Sequence, residues 1–94
     1  MIVRIMGEGQ YRLSDQLREE VNTFDNRCVE AVAAGDQQRF QADFTALIAA
    51  IRSSGEQVDS DELLPSDVIV PPADITFAEA AREFTGEGII PDGS

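Results

Sequence analysis

Ile2-Val3-Arg4-Ile5-Met6 is an apolar run interrupted only by Arg4 that reads as a strand, Gly7-Glu8-Gly9 breaks it, and polar and apolar positions alternate over Gln10-Tyr11-Arg12-Leu13. Two short strands joined by a three-residue glycine turn are expected, because glycine takes positive φ at little steric cost. The period of two puts Tyr11 and Leu13 on one face and Gln10 and Arg12 on the other. From Ser14 the period changes. Leu17, Val21, Phe24, Cys28, Ala31 and Val32 trace one helical stripe, opposite Arg18, Glu19, Asn22, Asn26 and Glu30. Ser14 is placed to cap the first helix, Asp15 favours its positive end, and Gly35 closes it just past Ala34.

Asp36 then caps a second helix, with Phe40, Phe44, Leu47, Ile48 and Ile51 as its stripe and Ser53-Ser54-Gly55 as its stop. Almost no chain separates the two helices, so they should fold back as an antiparallel hairpin. Their facing stripes should bury Phe24, Cys28, Phe40, Phe44 and Leu47 together. Val29 widens the first stripe and leaves room for a second packing face. Residues 56–67 read as a polar passage holding one apolar pair, Leu63-Leu64. Val68-Ile69-Val70 is a third strand, ended by Pro71 and Pro72, which lack the N–H that a ladder needs, and it suits the edge of the sheet begun by residues 2–6. Thr76 and Glu79 match a capping box, in which each side chain reaches the other's backbone amide. A short helix over 77–84 follows, with Phe77, Ala80, Ala81 and Phe84 inward. Gly86-Glu87-Gly88 ends it, Ile89-Ile90 should dock, and residues 91–94 should fray. The predicted fold is α+β, a small antiparallel sheet packed with a long helical hairpin and a short C-terminal helix. It forms one domain over 1–94, made of a β-hairpin (1–13), a helical hairpin (14–54) and an acidic C-terminal part (55–94).

Charge narrows the function. The 94 residues carry 18 acidic and 7 basic side chains, all arginine, and no histidine, for a net of -11. Residues 53–94 hold ten acids and one arginine, so the excess is concentrated there. Such a chain opposes the approach of nucleic acid or an anionic membrane surface. It contains neither the apolar run of a signal peptide nor the roughly 18–20 apolar residues of a membrane span, which predicts a cytoplasmic protein with no direct membrane insertion.

Catalytic equipment is sparse. Without histidine there is no imidazole base, triad or zinc ligand. Cys28 lies in an apolar stripe with no His or Lys in the chain to favour its thiolate, so it reads as a core thiol. Asp59, Asp61, Glu62 and Asp67 could gather a hard cation for hydrolysis, but the segment lacks the spacing of a calcium loop and reads as a solvated acidic stretch. Gly7-Glu8-Gly9 is too short to cradle a phosphate, and Glu8 would repel one. Glu19, Glu20 and Glu30 imply no cleft and read as a solvated face. No catalytic, cofactor-binding or metal-binding residue is assigned, and no cofactor is expected. Surface for contact remains: free strand edges, helix faces, and a core small enough to invite homo-oligomerisation.

Two blocks together are more specific than any single motif. Met1-Ile2-Val3-Arg4-Ile5-Met6-Gly7-Glu8-Gly9-Gln10-Tyr11 resembles the opening of the PspA-associated (PspAA) domain family. Leu63-Leu64-Pro65-Ser66-Asp67-Val68-Ile69-Val70-Pro71-Pro72-Ala73-Asp74 resembles its second block, and Gly88-Ile89-Ile90-Pro91 its ending. The resemblance covers nearly the whole chain. It implies a small non-catalytic adaptor linked to the phage-shock protein A system of bacterial envelope stress, with a phage-shock protein A-like coiled-coil protein as partner and recruitment to the inner face of the membrane through it. The candidate interaction or signature residues are Gly7, Glu8, Gly9, Tyr11, Leu64, Pro65, Ser66, Asp67, Pro71, Pro72 and Asp74.

Overall fold

A computed structural model describes residues 1–59 and 64–84. Strand β1 (Ile2–Ile5) turns into β2 (Gly9–Arg12), and helices α1 (Asp15–Ala34) and α2 (Gln37–Ser54) follow as a hairpin. Strands β3 (Glu56–Gln57) and β4 (Val68–Val70) and helix α3 (Phe77–Glu83) complete the order. The fold is α+β, as the periodicity predicts.

Each helix begins where a side chain can take up free backbone amides. Ser14 Oγ accepts from the Leu17 N–H at 3.1 Å, and Asp36 Oδ1 from the Arg39 N–H at 3.1 Å. Gly35 closes α1 in the left-handed region at φ 69. At α3 the Thr76 Oγ1 accepts from the Glu79 N–H, and the return arm differs from a full capping box. The Thr76 hydroxyl itself donates to Glu79 Oε1 at 3.0 Å.

The strands run in the order β3-β2-β1-β4. β1 and β2 pair antiparallel, with Val3 opposite Tyr11 and Arg4 opposite Gln10. β4 lies on the other side of β1 and runs parallel to it, Val3 opposite Val68 and Ile5 opposite Val70, so the sheet is mixed rather than wholly antiparallel. The direction follows from the connection: β4 is reached only after both long helices and a crossover, which brings the chain to the free side of β1 in β1's own direction. β3 is the second departure. The polar passage after Gly55 starts as a strand against β2, Tyr11 facing Gln57 and Arg12 facing Glu56. Both its residues are exposed, so no apolar alternation marks it.

Val3, Ile5, Val68 and Val70 turn one face of the sheet to the helices, where they join Leu17, Val21, Cys28, Phe40, Phe44, Leu47 and Ile51 in one core. Four phenylalanines knit the C-terminal helix to the hairpin. Phe40 stacks on Phe44 at 5.4 Å, and Phe84 meets both edge-on at 5.3 and 5.6 Å. Phe77 meets Phe40 edge-on at 5.9 Å. Phe24, expected in the core, is only half-buried, and the Arg27 guanidinium lies over its ring. Val29 is half-buried against the same core. The stop at 86–88, the docking of Ile89-Ile90 and the fraying of 91–94 lie outside the described residues, as does Leu63.

Candidate functional site

The two sequence blocks, more than fifty residues apart, meet along β1. Asp67 holds the first residue of that strand at two points. Its N–H donates to the Ile2 carbonyl at 2.8 Å, and its Oδ2 accepts from the Ile2 N–H at 2.8 Å. This pins the register in which Val68 to Val70 enter the sheet. Gln10 completes the clasp. Its Nε2 donates to the Leu64 carbonyl at 2.8 Å and to Ser66 Oγ at 2.7 Å, while its own carbonyl accepts from the Val58 N–H at 3.0 Å. Gln10 pairs with Arg4 and so lies on the face turned away from the helices. The crossover is thus tied down over that outward face, which explains why Gln10 is 8% exposed where strand alternation alone would leave it in solvent.

The signature residues divide by position. Gly7 and Gly9 hold φ 85 and 130, conformations that side chains beyond glycine rarely adopt, and the Glu8 N–H donates to the Ile5 carbonyl across the turn at 2.9 Å. Glu8 reaches Arg52 at 2.6 Å and ties the hairpin tip to the last turn of α2. Tyr11 is half-buried on the inward face, between Val3 and Gln57. Leu64, Ser66 and Asp67 belong to the clasp, and Pro65 between them is exposed. Pro71 is buried at the end of β4, and the Pro72 carbonyl accepts from the Ile75 N–H at 3.0 Å, which starts the turn into α3. Asp74 is exposed in that turn. The clasp gathers Leu64, Ser66 and Asp67; Glu8 and Asp74 sit elsewhere, and the set converges on no common cleft.

Two polar residues that matter were missed by periodicity. The period of two puts Gln10 on the face opposite Tyr11 and Leu13 and gives no sign of its burial. Asp25 is fully buried in α1, yet it falls four residues after Val21 and three before Cys28, on the phase of the apolar stripe. That phase was the available signal. Beside it, the Cys28 thiol is pushed up to about 12, chiefly by burial and in addition by the nearby carboxylates of Asp43 and Asp25. Cys28 is a protonated core thiol at neutral pH and a poor nucleophile. Among the described residues no three potential metal-ligating side chains come together, and Asp61 and Glu62 lie outside them.

The arrangement orders backbone; the clasp offers an amide, a hydroxyl and a carboxylate that satisfy one another and the main chain. The model of one family, described as PspA-Associated protein, matches residues 1–92. Searches of curated proteins and of solved structures return no match. With its two signature blocks joined across β1 and the match running almost end to end, the chain belongs to the PspA-associated protein family.

Proposed function

We propose that this chain is a non-catalytic adaptor for a coiled-coil protein of the phage-shock protein A type, acting in a membrane stress response. The observation that carries this reading is the match over residues 1–92 to a family described by its association with PspA. The site geometry supports it. Leu64, Ser66 and Asp67 of the signature set hold the two blocks in register, and the one thiol is protonated and buried. On this reading the whole chain acts as one unit in the cytoplasm and reaches the membrane through its partner. A net charge of -11 disfavours direct contact with anionic lipid, and no helix among the described residues is long and apolar enough to cross a membrane.

Sedimentation velocity of the chain with the phage-shock protein A homologue of the same organism tests the proposal. A saturable shift of the boundary at physiological salt is the expected result. No shift at low or physiological salt, with both proteins folded, refutes direct contact. The same experiment on the chain alone tests the rival reading of a self-associating module, which requires a mass above that of the monomer.

A further inference from the structure

Among the described residues, the outward face of the sheet is covered on one side only. Where the Gln10 clasp holds the crossover, the face is closed; around β4 it is open. Arg4 and Ile69 are register partners there, and they point away from the helices because Val3, Ile5, Val68 and Val70 fill the inward face. Ile69 is 58% exposed. Met6, which follows β1 and donates its N–H to the Val70 carbonyl, is 52% exposed. These are the exposed large hydrophobic side chains among the described residues. Arg4 stands exposed beside them. The second arginine of this face, Arg12, is paired with Glu56 at 3.6 Å, and Arg39 and Arg52 also have carboxylate partners. Among the described residues no ion pair reaches Arg4.

A bare apolar patch would accept any hydrophobic segment. A free guanidinium set against two apolar side chains selects a segment that carries a carboxylate beside its own apolar residues. A second copy of this chain fits poorly. It brings another net charge of -11 to a chain that already carries that excess. A coiled-coil helix places Glu at positions flanking its apolar seam and so has the required chemistry. Granted the adaptor role proposed above, we infer that Arg4, Met6 and Ile69 form the docking surface for an amphipathic helix of the coiled-coil partner. An acidic side chain of that helix pairs with Arg4, and its apolar stripe covers Ile69 and Met6.

Titration of the full chain against the full-length phage-shock protein A homologue, followed by sedimentation velocity, tests this surface. Arg4→Glu and Ile69→Ser are each expected to raise Kd about tenfold or more. Glu20→Gln, at an exposed position of α1 remote from β4, is expected to leave it unchanged. A circular dichroism melt confirms that each variant folds, and Ile69→Thr, which keeps the β-branch, replaces Ile69→Ser if the latter does not. Wild-type binding with a smaller rise in either sheet variant overturns the surface and leaves the adaptor role standing. An equal loss in Glu20→Gln overturns the surface as well, because the effect would not be local. Absence of wild-type binding overturns both.

Discussion

Gln10 makes the crossover depend on one amide. Its Nε2 serves two acceptors, and both lose their partner if the side chain is truncated. Leaving such groups unsatisfied costs about 1–3 kcal/mol. Gln10→Ala should therefore lower the unfolding free energy read from urea denaturation by an amount in that range, and a loss below about 0.5 kcal/mol would show that water replaces the clasp. Cys28 gives a second test. Its folded pKa of about 12 lies above the ordinary 9.0, so the native state keeps a proton that the unfolded chain releases. The stability from this difference is fully present below pH 9 and is lost as pH rises from about 9 toward 12. Chemical denaturation of wild type and Cys28→Val across that window should show a steeper decline in the wild type. In native protein at pH 8, alkylation of Cys28 should be slow and limited by unfolding.

Helix α3 has seven residues, too few to be stable in isolation. Its place is secured by Phe84 and Ala80, both buried, and by the edge contacts of Phe84 and Phe77 with the α2 phenylalanines. Truncating a buried phenylalanine costs about 3–5 kcal/mol where neighbours cannot close the gap. Phe84→Ala should release α3 before the helical hairpin melts. Limited proteolysis should then cut near residues 72–77 while α1 and α2 stay protected, and a protected α3 in this variant would mean that its capping residues hold it unaided. β4 is equally short, and its position relies on Asp67 and on burial of Val68 and Val70.

The molecule carries its charge unevenly, with the acidic excess in residues 53–94. Like charges at this density repel one another and oppose the compact state, and salt screens them over about 8–10 Å. The thermal midpoint should rise between 20 and 300 mM sodium chloride, as read by circular dichroism; a flat or falling midpoint would place more weight on ion pairs such as Arg52–Glu8 and Arg39–Glu30 than on repulsion. The exposed ion pairs are each worth about 1 kcal/mol or less, so repulsion is expected to win.

What could be read from the chain alone is what contacts between near neighbours decide. Both long helices, their caps at Ser14 and Asp36, the glycine turn at residues 7–9 and the short helix after Thr76 depend on groups a few positions apart. The resemblance of the two blocks to the PspA-associated family was also legible, since it is a matter of residue order. Tertiary structure decided the rest. The parallel course of β4 and the pairing of polar Glu56-Gln57 leave no mark on apolar periodicity, and Asp25 shares the phase of the apolar stripe without being apolar. The roles of Gln10 and Asp67 emerge only when segments 54 to 65 residues apart are brought into contact. A hydrogen bond of that span costs chain entropy to close and is set by the packed core, so the strands had to be seated before the clasp could be recognised.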